Sequence, residues 1–219
     1  MRRAVRRAAR PRVRPAVAAL VGLLVLAGGV SWGCASDPQD PGLLPGPAKI
    51  DVDTPELRRM KAELGVEDCP KVEPEPVADG LPDVTLPCLG GGRDVPISGM
   101  RGPLVVNLWA SWCGPCIAEM PVLQEFHEKH ANEVGIVGID YEDPQVDGAF
   151  DLVRKSGVTY PLLADPQSSL QGADPFPGRM GLPIFAFVDE QGRAAVVAGG
   201  VDSLAELEDL VAEHLGVQL

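Results

Sequence analysis

The run Trp112-Cys113-Gly114-Pro115-Cys116 is where residue types and spacing in this 219-residue chain point to covalent chemistry. Two cysteines separated by two residues at the start of a helix sit one turn apart. The first sulfur then lies beside the helix N-terminus, where unpaired N–H groups and the helix dipole stabilise negative charge. Its thiol pKa drops from about 8.5 toward neutrality, which makes thiolate available. Cys113 is therefore expected to attack, and Cys116, one turn on and partly covered, to resolve the mixed disulfide that forms. Pro115 stiffens the turn and adds no N–H donor. The chemistry is thiol–disulfide exchange, with electrons carried by the Cys113–Cys116 pair and neither organic cofactor nor metal required. Half of a zinc site is a competing reading, but Cys69 and Cys88, 19 residues apart, lack the paired spacing that a second pair of ligands would show. A purely structural bridge between neighbours is the other.

Elements able to position such a pair surround it. Residues 104–110 (LVVNLWA) form an apolar run of the kind found in a buried central strand. A helix is expected from about Cys113 to Ala131, with Ile117, Met120, Leu123, Gln124 and Phe126 on its inner side and a kink at Pro121. Strands follow at 134–140 and 162–164, with a helix at 148–156 that ends at Gly157. Residues 184–188 and 194–198, joined by Glu190-Gln191-Gly192-Arg193, read as a β-hairpin. Ser203 caps a last amphipathic helix carrying Leu204, Leu207, Leu210, Val211 and Leu215. The order is that of an α/β domain with an antiparallel hairpin at its end.

The N-terminal part differs in composition. Seven arginines and no acid occupy residues 1–33, followed within that stretch by the uncharged apolar run 16–30. A basic head and a short apolar core form an export signal; a span of the bilayer needs about 20 apolar residues. Charge bias would keep the arginines in the cytoplasm and send the rest outward. Residues 1–34 are thus read as a signal peptide or lipoprotein signal, with Cys34 the candidate for lipidation; an uncleaved anchor and a disordered basic tail stay open. Without those arginines the net charge moves from −12 to −19, which argues against a nucleic-acid partner. Residues 35–79 are rich in proline and read as a semi-rigid spacer before a domain at 80–219. Within the spacer Thr54 and Pro55 can start a short helix whose Leu57, Met60 and Leu64 share one face before Gly65, for docking on the domain or on a partner.

The run Leu108-Trp109-Ala110-Ser111-Trp112-Cys113-Gly114-Pro115-Cys116, with Pro121 beyond it, resembles the thioredoxin superfamily. More narrowly it is similar to the membrane-tethered, extracytoplasmic oxidoreductases of the TlpA/ResA type. Asn107 stands at the strand position where ordinary thioredoxin carries a buried Asp. Met120-Pro121 is typical of these relatives, and Gly181-Leu182-Pro183 matches their cis-proline loop. The resemblance covers about residues 80–219. It implies a thioredoxin-like α/β fold with a central mixed sheet flanked by helices, and an extra helix–strand insert around 143–165. It also implies a cis bond before Pro183, with the backbone of Leu182 exposed to pair with a substrate chain. Leu182 departs from the Thr or Val common there. Because Asn107 cannot act as a base, the buried carboxylate of thioredoxin is expected to be absent. An acid from the insert, Glu142 ahead of Asp143, is expected to approach the cysteines instead; a solvated loop acid is the bland alternative for each. His127, His130 and His214 read as exposed.

Cys69 and Cys88 remain. Exported cysteines tend to pair, and a disulfide between them would tie the spacer to the first strand of the domain, worth about 3 kcal/mol by loop entropy. A second redox couple exchanging with Cys113 is the rival reading. The implied partners are thiols and disulfides of exported proteins, apocytochrome c among them, and a membrane thiol electron carrier. Gly-Pro between the cysteines resembles reducing thioredoxins, so a reductant is expected, with an oxidant that inserts disulfides as alternative. A copper-handling protein would use a wider cysteine spacing and a later histidine, yet no histidine falls between residues 131 and 213. A peroxidase would want Thr-x-x-Cys, where this chain has Ser111-Trp112-Cys113.

Overall fold

The computed structural model describes residues 50–219. Cys34, with the export signal and most of the spacer's first half, lies outside the described residues. The first element is α1 (Pro55–Leu64), which begins where the sequence demands: the Thr54 hydroxyl accepts the Leu57 N–H at 3.2 Å, Pro55 occupies the first turn, and Gly65 closes the helix at φ 70°. Leu57 is buried, and Met60 and Leu64 pack against the same core. The stretch from Val52 to Cys69, read as part of a spacer, is therefore built into the globular body, because its few apolar residues find a core to cover.

A two-residue pair of strands, β1 (Thr85–Leu86) and β2 (Val95–Pro96), precedes the main sheet. Then come β3 (Leu104–Trp109), α2 (Gly114–His130), β4 (Gly135–Tyr141), α3 (Val146–Ser156), β5 (Leu162–Asp165), β6 (Ile184–Val188), β7 (Ala194–Ala198) and α4 (Leu204–Leu215). The five strands run in the order β5-β4-β3-β6-β7. β3, β4 and β5 are parallel neighbours, and β6 and β7 are antiparallel, so the sheet is mixed. The helix–strand insert expected near 143–165 is α3 with β5, and it forms one edge. Residues 87–89 lie along that edge: Leu89 N–H donates to Leu162 O and Ala164 N–H to Pro87 O, both at 2.9 Å, and Cys88 pairs with Leu163.

Every residue of β3 is buried, and the alternation of side chains divides the core in two. Val105 and Trp109 face the apolar surfaces of all four helices, including Phe126, Phe150 and Leu207. Leu104, Val106 and Leu108 face the opposite way, toward Leu86, Val95, Leu170 and Phe176. Trp109 also explains Gly138 on the adjacent strand. A Cβ there would come within 2.9 Å of the indole nitrogen and 2.7 Å of Leu162, so the strand must be bare at that point.

α2 runs unbroken through Pro121. Its buried face is Cys116, Glu119, Met120, Leu123, Gln124, Phe126, His127 and His130. Two expectations fail here. Ile117 lies off that stripe and is 46% exposed. His127 and His130 are buried, because the last turn of α2 passes beneath Glu67 and α4; they meet Glu67 at 3.1 Å and Glu208 at 2.7 Å. His214 stacks on Phe187.

If α1 belongs to the cooperative unit, Leu57→Ala should lower unfolding free energy by about 2–4 kcal/mol in a single denaturation transition. A cost below about 0.5 kcal/mol would mean that α1 is only loosely attached.

Candidate active site

β3 ends at Trp109, and α2 begins at Gly114 after a four-residue turn. That turn is held by Cys113 N–H to Ala110 O at 3.1 Å. Cys113 is the N-cap of α2, and its sulfur accepts the Cys116 N–H at 3.2 Å. The sulfur thus occupies the place a capping oxygen would take, where a thiolate would meet a backbone donor and the positive end of the dipole. Cys113 and Cys116 are bonded to each other (S–S 2.06 Å), so this is the oxidised form. Cys116 is wholly buried, and Cys113 nearly so. Trp112, 52% exposed, stands next to them, and Ile117 widens the apolar surface beside the pair. Gly114 and Pro115 form the first turn of α2. The Leu182–Pro183 bond is cis, as the resemblance implies, and Leu182 packs partly buried against both halves of the core.

The expected absence of a buried carboxylate is incorrect. Asn107 in β3 donates from Nδ2 to Glu119 Oε1 at 2.9 Å, and Glu119 also accepts the Val201 N–H at 3.4 Å. Glu119 is 1% exposed and lies one turn beyond Cys116 on the same face of α2. Its Oε2 approaches Gly200, which in turn abuts the ring of Pro183. Burial pushes this carboxyl from the ordinary 4.5 up to about 7, against the pull of the Asn107 and Val201 hydrogen bonds. The acid has moved from the strand to the neighbouring helix, and Asn107 serves as its donor. An acidic residue on the apolar stripe Cys116-Met120-Leu123 was the signal available in the sequence.

The expectation for Glu142 also needs correction. Glu142 has φ 50°, which sends its carboxylate to the hydroxyl of Ser168 and its carbonyl to the Trp112 indole N–H at 3.3 Å. Contact with the active-site turn comes from its backbone and from the next residue. Asp143 accepts the Ser111 N–H at 2.6 Å and the Gln145 N–H at 2.9 Å. Behind it Asp140, opposite Trp109 in the β3–β4 register, is pushed well above the usual carboxylate range by burial and then by the charge of Asp143. Among the described residues no three His, Cys, Asp or Glu side chains come together in a way that could hold a metal ion.

A strand, a capping sulfur and a second sulfur one turn on form a thiol–disulfide exchange centre. The model of the AhpC/TSA family matches residues 77–193, more than half of the chain. The chain belongs to the AhpC/TSA family. Within it, this AhpC/TSA protein is a TlpA/ResA-like member of the thioredoxin superfamily and a thiol-disulfide oxidoreductase. It is 32% identical over 137 residues to the thiol:disulfide interchange protein DsbE of Pseudomonas fluorescens biotype C, covering 61% of this chain and 73% of that one. The thiol-disulfide oxidoreductase ResA of Geobacillus thermodenitrificans shares 28% identity over 126 residues, covering 57% and 70%. Among solved structures, MTB DsbF in its mixed oxidised and reduced forms superposes with a TM-score of 0.54 at 33% identity. The match covers 63% of this chain and 98% of that chain.

Glu119 makes stability depend on pH in a defined direction. Between about pH 4.5 and 7 the folded protein keeps this proton and the unfolded chain does not, so stability falls as pH rises through that window. The loss should reach about 3 kcal/mol. Glu119→Gln should flatten the curve in denaturant titrations of the oxidised protein from pH 4.5 to 8. A slope unchanged in that variant would assign the dependence to another group.

Proposed function

We propose that this protein reduces disulfides in exported proteins, apocytochrome c among them, on the outer side of the cytoplasmic membrane. The observation that carries the reading is the Cys113 sulfur capping α2 with Cys116 buried behind it. Cys113 attacks the substrate disulfide as thiolate, and Cys116 then attacks the mixed disulfide and frees the reduced product. Electrons stay in the cysteine pair, with no organic cofactor or metal taking part, and a membrane thiol carrier restores the dithiol. Glu119, poised near neutrality one turn from Cys116, takes the proton that Cys116 must lose. Trp112 and Ile117 offer the apolar surface on which a partner chain settles, and the Leu182 backbone pairs with it.

Several features support the location. A basic segment followed by a short apolar run opens the chain, and a Cys69–Cys88 disulfide suits an oxidising compartment. Anchoring is assigned to residues 1–34 through lipidated Cys34 or a retained segment. Among the described residues no helix is long and apolar enough to cross a membrane. The Gly114-Pro115 pair favours the reductant. An oxidant that inserts disulfides is the second reading, because the same cysteine pair can run the exchange in either direction.

The wild type should reduce insulin in the presence of dithiothreitol, and Cys113→Ser should fall to the uncatalysed rate. Equal activity in that variant would defeat the mechanism. A redox titration separates the two directions: a midpoint near about −270 mV fits a reductant, and one near about −120 mV fits the oxidant. Cys116→Ala in the native host should accumulate mixed disulfides with exported proteins.

A further inference from the structure

The second disulfide, Cys69–Cys88, lies apart from the active-site turn and has surroundings that a purely structural bridge does not need. Lys61, on the inner side of α1, is 5% exposed and points its ammonium at Cys88 Sγ, 3.1 Å away, and at Gly91 O, 3.0 Å away. The Gly90-Gly91-Gly92 turn, with φ of 74°, 88° and 130°, wraps this contact, and a Cβ on Gly92 would come within 3.2 Å of the same sulfur. The carboxylate nearest to Lys61, Asp68, is 3.7 Å off with a fully solvated side chain, and Asp53 is already paired to Arg58. A disulfide sulfur is a weak acceptor. The oxidised protein therefore holds a buried ammonium whose ion-pair partner, Asp68, is itself fully solvated, and burial pulls Lys61 below the ordinary lysine range despite that pair. A thiolate on Cys88 would supply a buried counter-charge.

The other sulfur is equipped differently. Cys69 Sγ lies 3.1 Å from Leu162 O, a carbonyl that could accept an S–H only once the bond is open. Cys69, 6% exposed, lines a surface cavity of about 190 Å³ with Asp68, Lys71, Gly92 and Arg93, whereas Cys88 is 1% exposed and does not line it. Two of those walls, Lys71 and Arg93, are cationic against the one carboxylate of Asp68, and the cavity has room for the cysteinyl head of a small thiol.

We infer that Cys69–Cys88 is a second, thiol-sensitive redox couple, in which a small anionic thiol attacks Cys69 and Cys88 leaves as a thiolate held by Lys61. The attacking thiolate forms a bond to Cys69 Sγ, the Cys69–Cys88 bond breaks, and its electron pair departs on Cys88. A second small thiolate attacks the outer sulfur of the mixed disulfide and releases Cys69, which takes one proton from solvent and directs it at Leu162 O. Two thiols become one external disulfide, the protein gains two electrons and one proton, and one proton goes to solvent. A thiolate stabilised beside a lysine leaves faster and lies further toward the reduced state than an ordinary thiol. This couple is independent of the catalytic reading for Cys113 and Cys116.

The test uses the full chain in detergent with Cys34, Cys113 and Cys116 replaced by serine, so that Cys69 and Cys88 alone titrate against glutathione. Active-site function is assayed separately on the unsubstituted chain, so failure of one leaves the other standing. The equilibrium constant for reduction should climb about tenfold per pH unit between about pH 7 and 8, because a proton is released. The mixed disulfide should map to Cys69. Lys61→Met should lower the constant at least tenfold and make it flat with pH, while Lys61→Arg should keep the wild-type slope. A flat wild-type profile, a glutathione adduct on Cys88, or Lys61→Met reduced as readily as wild type or more readily would each overturn the inference. So would a bridge that opens only in denaturant, a result that the wild-type chain gives without any lysine variant.

Discussion

A sulfur atom occupying the N-cap of α2 is the contact to which the rest of the molecule is adapted. The Cys113 sulfur accepts the Cys116 N–H where the chain passes from β3 into α2 through a four-residue turn, and the place of that turn is set by β3 in the middle of the sheet. Burying all six residues of that strand supplies the fixture. The bare Gly138 beside Trp109, the mixed pairing with β4 and β6, and the two opposed halves of the core all keep one strand end where the helix must start. The Ser111 N–H bound by Asp143 and the Trp112 indole bound by the Glu142 carbonyl restrain the turn from the β4 side.

Deep burial of that strand creates an electrostatic difficulty, and the answer is a divided labour between Asn107 and Glu119. A carboxylate in this position would be expensive to ionise, and a neutral amide alone would leave no proton carrier. Burial raises the acid on the helix to about 7, while the hydrogen bond from the strand amide pulls it part of the way back. A group of this kind changes protonation state near neutral pH at little cost, as the role proposed for Glu119 beside Cys116 requires.

Local patterns made most of the framework legible. Caps such as Thr54 and Ser203, the hairpin of β6 and β7, and the apolar run of β3 are short-range signals, and they fell where the residues implied. What could not be read were relations across the chain. His127 and His130 look like surface polar residues until Glu67 and Glu208 close over them. Glu142 and Asp143 are adjacent acids, and only the left-handed backbone of Glu142 decides which one turns toward Ser111. Residues 50–79 carry prolines at the density of a linker, yet Val52, Leu57, Val66 and Cys69 are enough to commit the stretch to the core. Composition counts residues, whereas packing depends on a few large ones.

The lateral border of the sheet at β5 gains a further significance from residues 87–89. A strand at the end of a sheet exposes a row of unused donors and acceptors that invites another chain to add on. Here Pro87, Cys88 and Leu89 occupy that row, and the bridge to Cys69 fastens them in place. The covalent link therefore acts as a clasp over an adhesive margin. Closing that margin covalently guards the chain against the self-association to which open strands are prone.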